Sequence, residues 1–314
     1  MTKILITGGA GNVGGALACY LVQNPSYHIV VADNLVTGSL NNLPQGYDNF
    51  TFTKCDVNNY NDISAVMLAF RFDYVFHYAA LVGVKRTLSH PIQVLEDIDG
   101  IKNILNLSKN TGVKRVFYSS SSEVYGEPVE YPQNEHTTPL NSRLPYAIVK
   151  NVGEAFFKSY QKEFGLDFTI FRFFNTYGPK QSTDFVVSKF IKSALRNEDI
   201  NIYGDGSQTR TFCYIDDNLE ATTKIFENGL HVNEVINIGS DKEIQIVDLA
   251  KKVIRLTGSS SKINHQDPLK EGDMTRRRPD NSKMLKVLGR DLLPVEEGIM
   301  KIMEYKYNVV VKQN

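Results

Sequence analysis

The sequence predicts an α/β protein: a doubly wound parallel sheet followed by a smaller mixed α/β cap at the C-terminal end. Three observations lead there. Short apolar runs alternate with helix-length amphipathic stretches through the first half of the 314 residues, the pattern of parallel strands joined by crossover helices. The first apolar run ends in glycines spaced three apart, Gly8, Gly11 and Gly14, and an apolar helical pattern through Leu17, Ala18, Leu21 and Val22 follows at once. After Pro179 the elements become shorter and less regular, as suits an appended cap.

Taken in order, residues 3–7 read as the first strand. The glycines let the backbone turn sharply and approach a pyrophosphate, which rests on the free N–H groups of the next helix. A glycine triplet alone is weak evidence. Here a second apolar run, from Tyr27, ends at Asp33, an acid about twenty residues after the glycines, as a dinucleotide site requires. Residues 50–56 read as a third strand, 61–70 as a helix and 73–79 as the fourth strand. A long amphipathic helix over 91–110 leads to a fifth strand at 114–120. Another helix spans 144–164, and 167–173 follows as a strand. In such sheets ligands bind beyond the carboxyl ends of the strands. Attention therefore falls on Thr7 and Gly8, Asp33, Asp56, Ala79 and Ala80, Ser119 to Ser122, and Asn175.

Beyond Pro179, residues 183–196 look helical, 204–207 form a turn, and 211–215 and 234–239 are strand-like. From Gln245 the chain reads as helices and loops and includes the basic triplet Arg276, Arg277 and Arg278. The expected division is a cofactor-binding domain of 1–178 plus about 211–240, and a substrate-binding cap of 179–210 and 241–314. No internal repeat or low-complexity tract interrupts it.

Composition narrows the class of function. Acidic and basic residues balance at 35 each, so no global field draws the protein to nucleic acid or anionic membranes. No basic segment precedes an apolar stretch at the N-terminus, and no run is long enough to span a bilayer, which points to a cytoplasmic protein. Cys19, Cys55 and Cys213 are odd in number and far apart, as expected of thiols in a reducing compartment. The histidines are never paired at ligand spacing, so no metal is expected.

Two stretches carry chemistry. Tyr146 and Lys150 stand one helical turn apart on one face. A phenol titrates near pH ~10, too high for a base at neutrality. A neighbouring ammonium favours the phenolate and brings it toward the working pH. Alone, a tyrosine four residues before a lysine is cheap; following a glycine-led parallel sheet, it is informative. The second stretch is Ser119-Ser120-Ser121-Ser122-Glu123-Val124-Tyr125-Gly126. Four serines can be a plain polar turn, but these end a strand where a cofactor's reactive ring should lie.

These pieces together resemble the extended short-chain dehydrogenase/reductases that act on nucleotide sugars, the NAD-dependent epimerase/dehydratase family. The matching motifs run in family order over nearly the whole chain: Thr7 to Gly14, Asp33-Asn34, Cys55-Asp56-Val57, His77 to Ala80, Ser121 to Gly126 and Tyr146 to Lys150. They continue through Arg172 to Pro179, Gly204 to Arg210, and Arg277 to Asp280. The resemblance implies a Rossmann-type fold with NAD as cofactor. It places Gly8, Gly11, Asn12, Val13 and Gly14 at the pyrophosphate, Asp33 and Asn34 at the adenosine ribose, Asp56 and Val57 at the adenine, and Ala79 and Ala80 along the cofactor. It makes Tyr146 the base for the sugar O4 proton and has Lys150 bond the nicotinamide ribose. Ser121 would hold O4 and Ser122 would line the sugar. Asn175, Arg210 and Arg277 match positions facing the substrate diphosphate, where arginine offers forked donors. An acid at Asp33 favours NAD over NADP.

The family diverges after oxidation at C4. A 4-keto sugar is re-reduced on its other face by epimerases, or released by a simple dehydrogenase. Dehydratases carry an Asp-Glu pair where this chain has Ser122-Glu123, so the base candidate is present and the acid is missing. Ser-Glu here, with Glu127-Pro128 after Tyr125-Gly126, resembles the UDP-glucuronate decarboxylase branch, although Gly83 to Thr87 departs from it. Lys85 and Arg86 in that departure face either an anionic substrate or solvent. The sequence ranks epimerisation and 4-oxidation level, decarboxylation next and 4,6-dehydration last. A rival of another class, an NAD-sensing regulator without catalysis, is disfavoured because Tyr146, Lys150 and Ser121 are all present. The resemblance also implies a homodimer built on the helices over 91–110 and 144–164.

Overall fold

The computed structural model describes residues 1–127, 129–268 and 276–309; the side chains of Val84 and Lys85 also fall outside the description. The chain divides into two compact units. The first comprises residues 1–124, 140–173 and 222–236, and the second comprises 125–139, 174–221 and 237–314.

The first unit alternates strands and helices as expected. The elements are β1 (Thr2–Thr7), α1 (Asn12–Leu21), β2 (Tyr27–Asp33), β3 (Phe50–Lys54), α2 (Tyr60–Phe70) and β4 (Tyr74–His77), then α3 (Val84–Ser89), α4 (Pro91–Thr111), β5 (Arg115–Ser121), α5 (Pro145–Phe164) and β6 (Asp167–Phe173). Parallel pairing joins β3 to β2, β2 to β1, β1 to β4, β4 to β5, and β5 to β6. The strands are apolar on both faces: Ile4, Leu5 and Ile6 of β1 are wholly buried, as are Ile29 to Ala32 of β2. That is the signature of a sheet covered by helices on both sides. Pro145 at the start of α5 and left-handed Gly165 at its end mark that helix's limits, with the missing N–H and the missing Cβ where each is tolerated. Phe76, Phe117 and Phe226 pack together, with Phe76 and Phe117 stacked at 4.4 Å, and each such burial contributes about 1.5–3 kcal/mol.

The remaining elements are β7 (Thr176–Tyr177), α6 (Val186–Leu195), β8 (Ile200–Tyr203), β9 (Thr209–Thr211), β10 (Cys213–Tyr214) and α7 (Ile215–Glu227). They continue as β11 (Glu234–Ile238), β12 (Glu243–Gln245), α8 (Ile246–Thr257), β13 (Ile263–Gln266), α9 (Ser282–Leu288) and α10 (Val295–Tyr307). β11 joins the main sheet, whose order is β11-β6-β5-β4-β1-β2-β3. In the second unit, β8 pairs with β13, β9 with β12, and β10 with β7. Those pairings draw residues 209–214 into the second unit. Residues 125–139 join it because Gln133 and Glu135 bond the Asn237 amides and Gln133 N–H donates to Arg278 O.

Some elements differ from expectation. α7, not anticipated above, carries a broken apolar stripe, because its buried face sets Asn218, Thr222 and Thr223 beside Leu219, Ile225 and Phe226. β13 interrupts a stretch read as helices and loops. Asn264, His265 and Gln266 are exposed, so backbone pairing with β8 makes the strand rather than an apolar alternation. No helix among the described residues is long and apolar enough to cross a membrane.

Candidate active site

The turn between β1 and α1 is built around two close approaches. Gly8 is left-handed at φ +67°, and a Cβ there would lie 2.6 Å from Ala79 N; one on Gly14 would lie 2.5 Å from Gly8 O. No larger residue fits either place. Gly11 caps α1 without a side-chain bond, so no side chain covers the amides of the first turn, where Asn12 and Val13 begin the helix. Partial positive charge gathers there.

Asp33 closes the turn from β2. Its Oδ2 accepts from Ala10 N–H at 2.9 Å and its Oδ1 from Leu35 N–H at 2.8 Å. A carboxylate has about four acceptor sites, so both oxygens keep capacity for ribose hydroxyls. Asn34 Nδ2 donates to Asp56 Oδ2 at 3.4 Å, and Asp56 Oδ1 accepts from Asn58 N–H. The carbonyl of buried Val57 is held by Asn103. Asp33, Asn34, Asp56 and Val57 thus line one rim of the sheet, and the glycine cradle beside them fits a dinucleotide.

The second cluster joins β1, β4, β5 and α5. Lys150 is buried at 3 % exposure. It donates to Ser119 Oγ at 3.5 Å, and its Nζ lies 5.0 Å from the ring centre of Tyr118 and 5.7 Å from that of Tyr146. Burial pushes the ammonium down to about 8, against the opposing charge of Asp97. Ser119 Oγ also donates to His77 O at 3.4 Å. His77 is bonded through Nδ1 to Thr7 Oγ1 at 2.8 Å, and Ala79 N–H donates to the same Thr7 oxygen. Burial, with Lys150 nearby, pushes the His77 ring down to about 3, so it is neutral. Ala80 follows, half-buried, at the end of this strand.

The four serines divide by role. Ser119 belongs to the Lys150 cluster, and Ser120 Oγ donates to Glu154 Oε1 at 2.7 Å. Ser121 Oγ accepts from Glu123 N–H at 3.2 Å, which leaves its hydroxyl proton to donate. Ser122 is buried and Glu123 half-buried.

In the second unit, Asn175 has φ +33° and its Nδ2 donates to Thr211 O at 2.9 Å. That places it against β9 beside Arg210, which is buried and donates to Thr209 O. The basic triplet resolves into different environments. Arg276 forks onto Glu243 at 2.6 and 2.5 Å and lies over the Tyr131 ring. Arg277 is buried and Arg278 half-buried. Glu243 pairs with Thr211 in the β12–β9 register, so Arg276 is tied through Glu243 to the strand that carries Arg210 and that Asn175 bonds. Arg86 donates to Val82 O within its own turn; the Lys85 side chain and Pro128 lie outside the described residues. Among those residues, no group of three or more histidines, cysteines and acids is placed to hold a metal.

Residues 4–239 match the sequence model of the NAD dependent epimerase/dehydratase family. The chain belongs to this family. It is 34% identical over 313 residues to UDP-glucuronic acid decarboxylase 1 of Xenopus tropicalis, covering 96% of this chain and 72% of the relative. It is 36% identical over 296 residues to UDP-N-acetyl-alpha-D-glucosaminuronate decarboxylase of Bacillus cytotoxicus, covering 90% of each. The crystal structure of UDP-glucose 4-epimerase from Thermotoga maritima, with UDP-glucose, superposes with a TM-score of 0.92 at 31% identity, covering 98% of this chain and 99% of that one. The epimerase/dehydratase fold and membership of an NAD-dependent enzyme family acting on nucleotide sugars are therefore established for this chain.

Sequence reasoning singled out Thr7 and Ser119 as strand-end residues without linking them to Lys150, and it missed Asp97 and Tyr118. One signal was available. Gly153, in the interior of a strong helix and one turn after Lys150, marks a close approach. The partner, Tyr118, is 35 positions earlier in the chain and has no motif of its own.

Proposed function

We propose that the protein binds NAD and oxidises C4 of the sugar of a nucleotide sugar, giving a 4-keto sugar that is either re-reduced on its other face or released. The observation that carries this reading is the buried Lys150 ammonium beside the Tyr146 ring. Bound NAD supplies the hydride acceptor. Tyr146 takes the O4 proton, and the Lys150 charge favours the phenolate that does so. Ser121 donates to O4 and orients it. Asp33 accepts from the adenosine ribose and repels a 2′-phosphate, which favours NAD over NADP. Gly8, Gly11 and Gly14 admit the pyrophosphate, with Asn12, Val13, Asn34, Asp56, Val57, Ala79 and Ala80 along the cofactor. Asn175, Arg210 and Arg277 bind the substrate diphosphate, and Ser122 lines the sugar.

A second reading is decarboxylation of a nucleotide uronic acid through the same ketone. The decarboxylase relatives and the Ser122-Glu123 pair favour it. A carboxyl group β to the C4 carbonyl leaves as carbon dioxide once C4 is oxidised, so this needs no acid beside Glu123. Dehydration needs a proton donor to the departing hydroxyl, and Ser122 is a poor one. Exposed apolar Ile92 and Leu95 on α4 and Ile148 and Phe164 on α5 support a homodimer through those helices.

Mass spectrometry of products from NAD and a panel of nucleotide sugars separates these outcomes. Loss of two hydrogens means release of the ketone, and loss of carbon dioxide means decarboxylation. An unchanged mass with a new NMR spectrum means epimerisation. Tyr146→Phe should lower turnover about 10²–10⁴-fold with NAD affinity unchanged. Full turnover in that variant contradicts the mechanism, and no conversion of any sugar favours a non-catalytic NAD-binding role.

A further inference from the structure

The resemblance gives Lys150 a bond to the nicotinamide ribose, and the protein side of its ammonium is held separately. An ammonium has three protons to satisfy, yet among the described residues its hydrogen bond is a single long one, to Ser119 Oγ at 3.5 Å. Beyond that bond it meets the charge of Asp97 and two aromatic rings. Tyr146 is the reacting phenol, so the fixed ring is that of Tyr118, 5.0 Å away.

Tyr118 is held with unusual completeness. Its ring stacks on Phe157 at 4.7 Å and 22°, and on His77 at 5.9 Å and 19°. The side chain is 1 % exposed, and its hydroxyl has no hydrogen-bond partner among the described residues. The hydroxyl seats in a notch in α5 that only glycine leaves open: a Cβ on Gly153 would lie 2.2 Å from the phenol oxygen and 2.6 Å from Cζ. A buried hydroxyl without a partner costs stability, so hydrogen bonding does not explain the residue's position. Its ring face does. Cations are attracted to the face of an aromatic ring, most strongly when desolvated.

We propose that Tyr118 is a positioning residue: its ring carries the Lys150 ammonium, keeps it charged and aligns it with Tyr146, while Gly153 admits that ring beneath the helix. The proposal deepens the catalytic reading given to Tyr146 and Lys150 and rests on it for its functional meaning. The charged and titratable groups around the ammonium can be named element by element. His77 on β4 is neutral and committed to Thr7. Asp97 on α4 acts on Lys150 through charge while it accepts from Leu81 N–H and Asn58 Nδ2. Glu154 on α5 is committed to Arg172 and Ser120. Tyr118 and Ser119 come from β5, and Tyr146 from α5 itself. Burial pushes the Lys150 ammonium down to about 8, and losing the ring face should lower it further.

The test titrates Lys150 directly, by NMR of ¹³C-lysine-labelled protein without cofactor or sugar, with the Lys150 signal assigned by its absence in Lys150→Met. In Tyr118→Phe, which keeps the ring, the midpoint should match the wild type. In Tyr118→Leu it should fall by roughly half a unit to one and a half units. A Leu variant with an unchanged or higher midpoint overturns the proposal, as does a Phe variant that falls equally far. Should the Leu variant not fold, Tyr118→Met makes the same comparison. Because no substrate is present, this result stands apart from the catalytic reading. If that reading also holds, the alkaline limb of turnover moves with the NMR midpoint; if only the NMR midpoint moves, the positioning stands and the catalytic reading fails.

Discussion

Two buried cations lie near α5 and are treated in opposite ways. Arg172 is 2 % exposed and forks onto Glu154, itself 1 % exposed, with Nε to Oε1 at 2.8 Å and Nη2 to Oε2 at 2.7 Å. Ser120 adds a third bond to that carboxylate. Burial pushes the Glu154 carboxyl up, but the Arg172 and Ser120 bonds outweigh it and hold it below the usual range. Lys150, one turn earlier on the same helix, is 3 % exposed and has a long hydroxyl contact and two ring faces. The comparison teaches how to separate scaffold from chemistry. A buried charge met in full by its partner is structural, whereas one left partly unmet is poised to act on a neighbour.

Breaking the compensated pair should have the largest effect on stability. Arg172→Met leaves Glu154 buried without its partner and should destabilise the protein by about 3–5 kcal/mol, measured by denaturant unfolding. Replacing both residues with apolar ones should recover most of that loss. A single substitution that costs nothing would place Arg172 in the same class as Lys150.

A smaller, pH-dependent effect belongs to His77. Its pKa is near 3 in the folded protein, below its ordinary 6.5, so the unfolded chain binds more protons as the pH drops below 6.5. His77 therefore contributes stability that is complete above pH 6.5 and lost as pH falls toward 3. His77→Gln, which keeps an amide for Thr7, should flatten the acid limb of stability by up to about 1.4 kcal/mol per pH unit in that window. Equal slopes in both proteins would show that the ring is not buried neutral.

The same contrast explains what could be read in the sequence. Gly8, Gly11, Gly14 and Asp33 act through a local turn, and Tyr146 and Lys150 through one turn of helix, so their spacing is visible in the chain. The boundaries of α4 and α5 were legible because an apolar stripe and a terminal Pro and Gly defined them, whereas α2, with Asn59 and Arg71 at its caps, was legible from its apolar stripe. Tyr118, His77, Thr7 and Asp97 converge on Lys150 from four elements, and no spacing records that convergence. In the second unit, β9, β12 and β13 are short strands held mainly by backbone pairing, which leaves little trace in side-chain pattern, and β8 alternates buried Ile200 and Ile202 with exposed Asn201 and Tyr203 over only four residues. Helix α7 interrupts its apolar stripe with buried asparagine and threonine, although acids open it and a lysine lies in its last turn.

The most direct test of this account measures stability and turnover in one variant, Lys150→Met. Folding takes the Lys150 ammonium from an ordinary 10.5 to about 8, so its charge opposes the fold below pH 8 and the penalty is relieved as pH rises toward 10.5. Removing it at neutral pH should stabilise the protein by roughly 1–3 kcal/mol, seen as a rise of a few degrees in melting temperature, while turnover is lost. A lower melting temperature would make Lys150 part of the scaffold, and unimpaired turnover would take it out of the chemistry; either result contradicts the account.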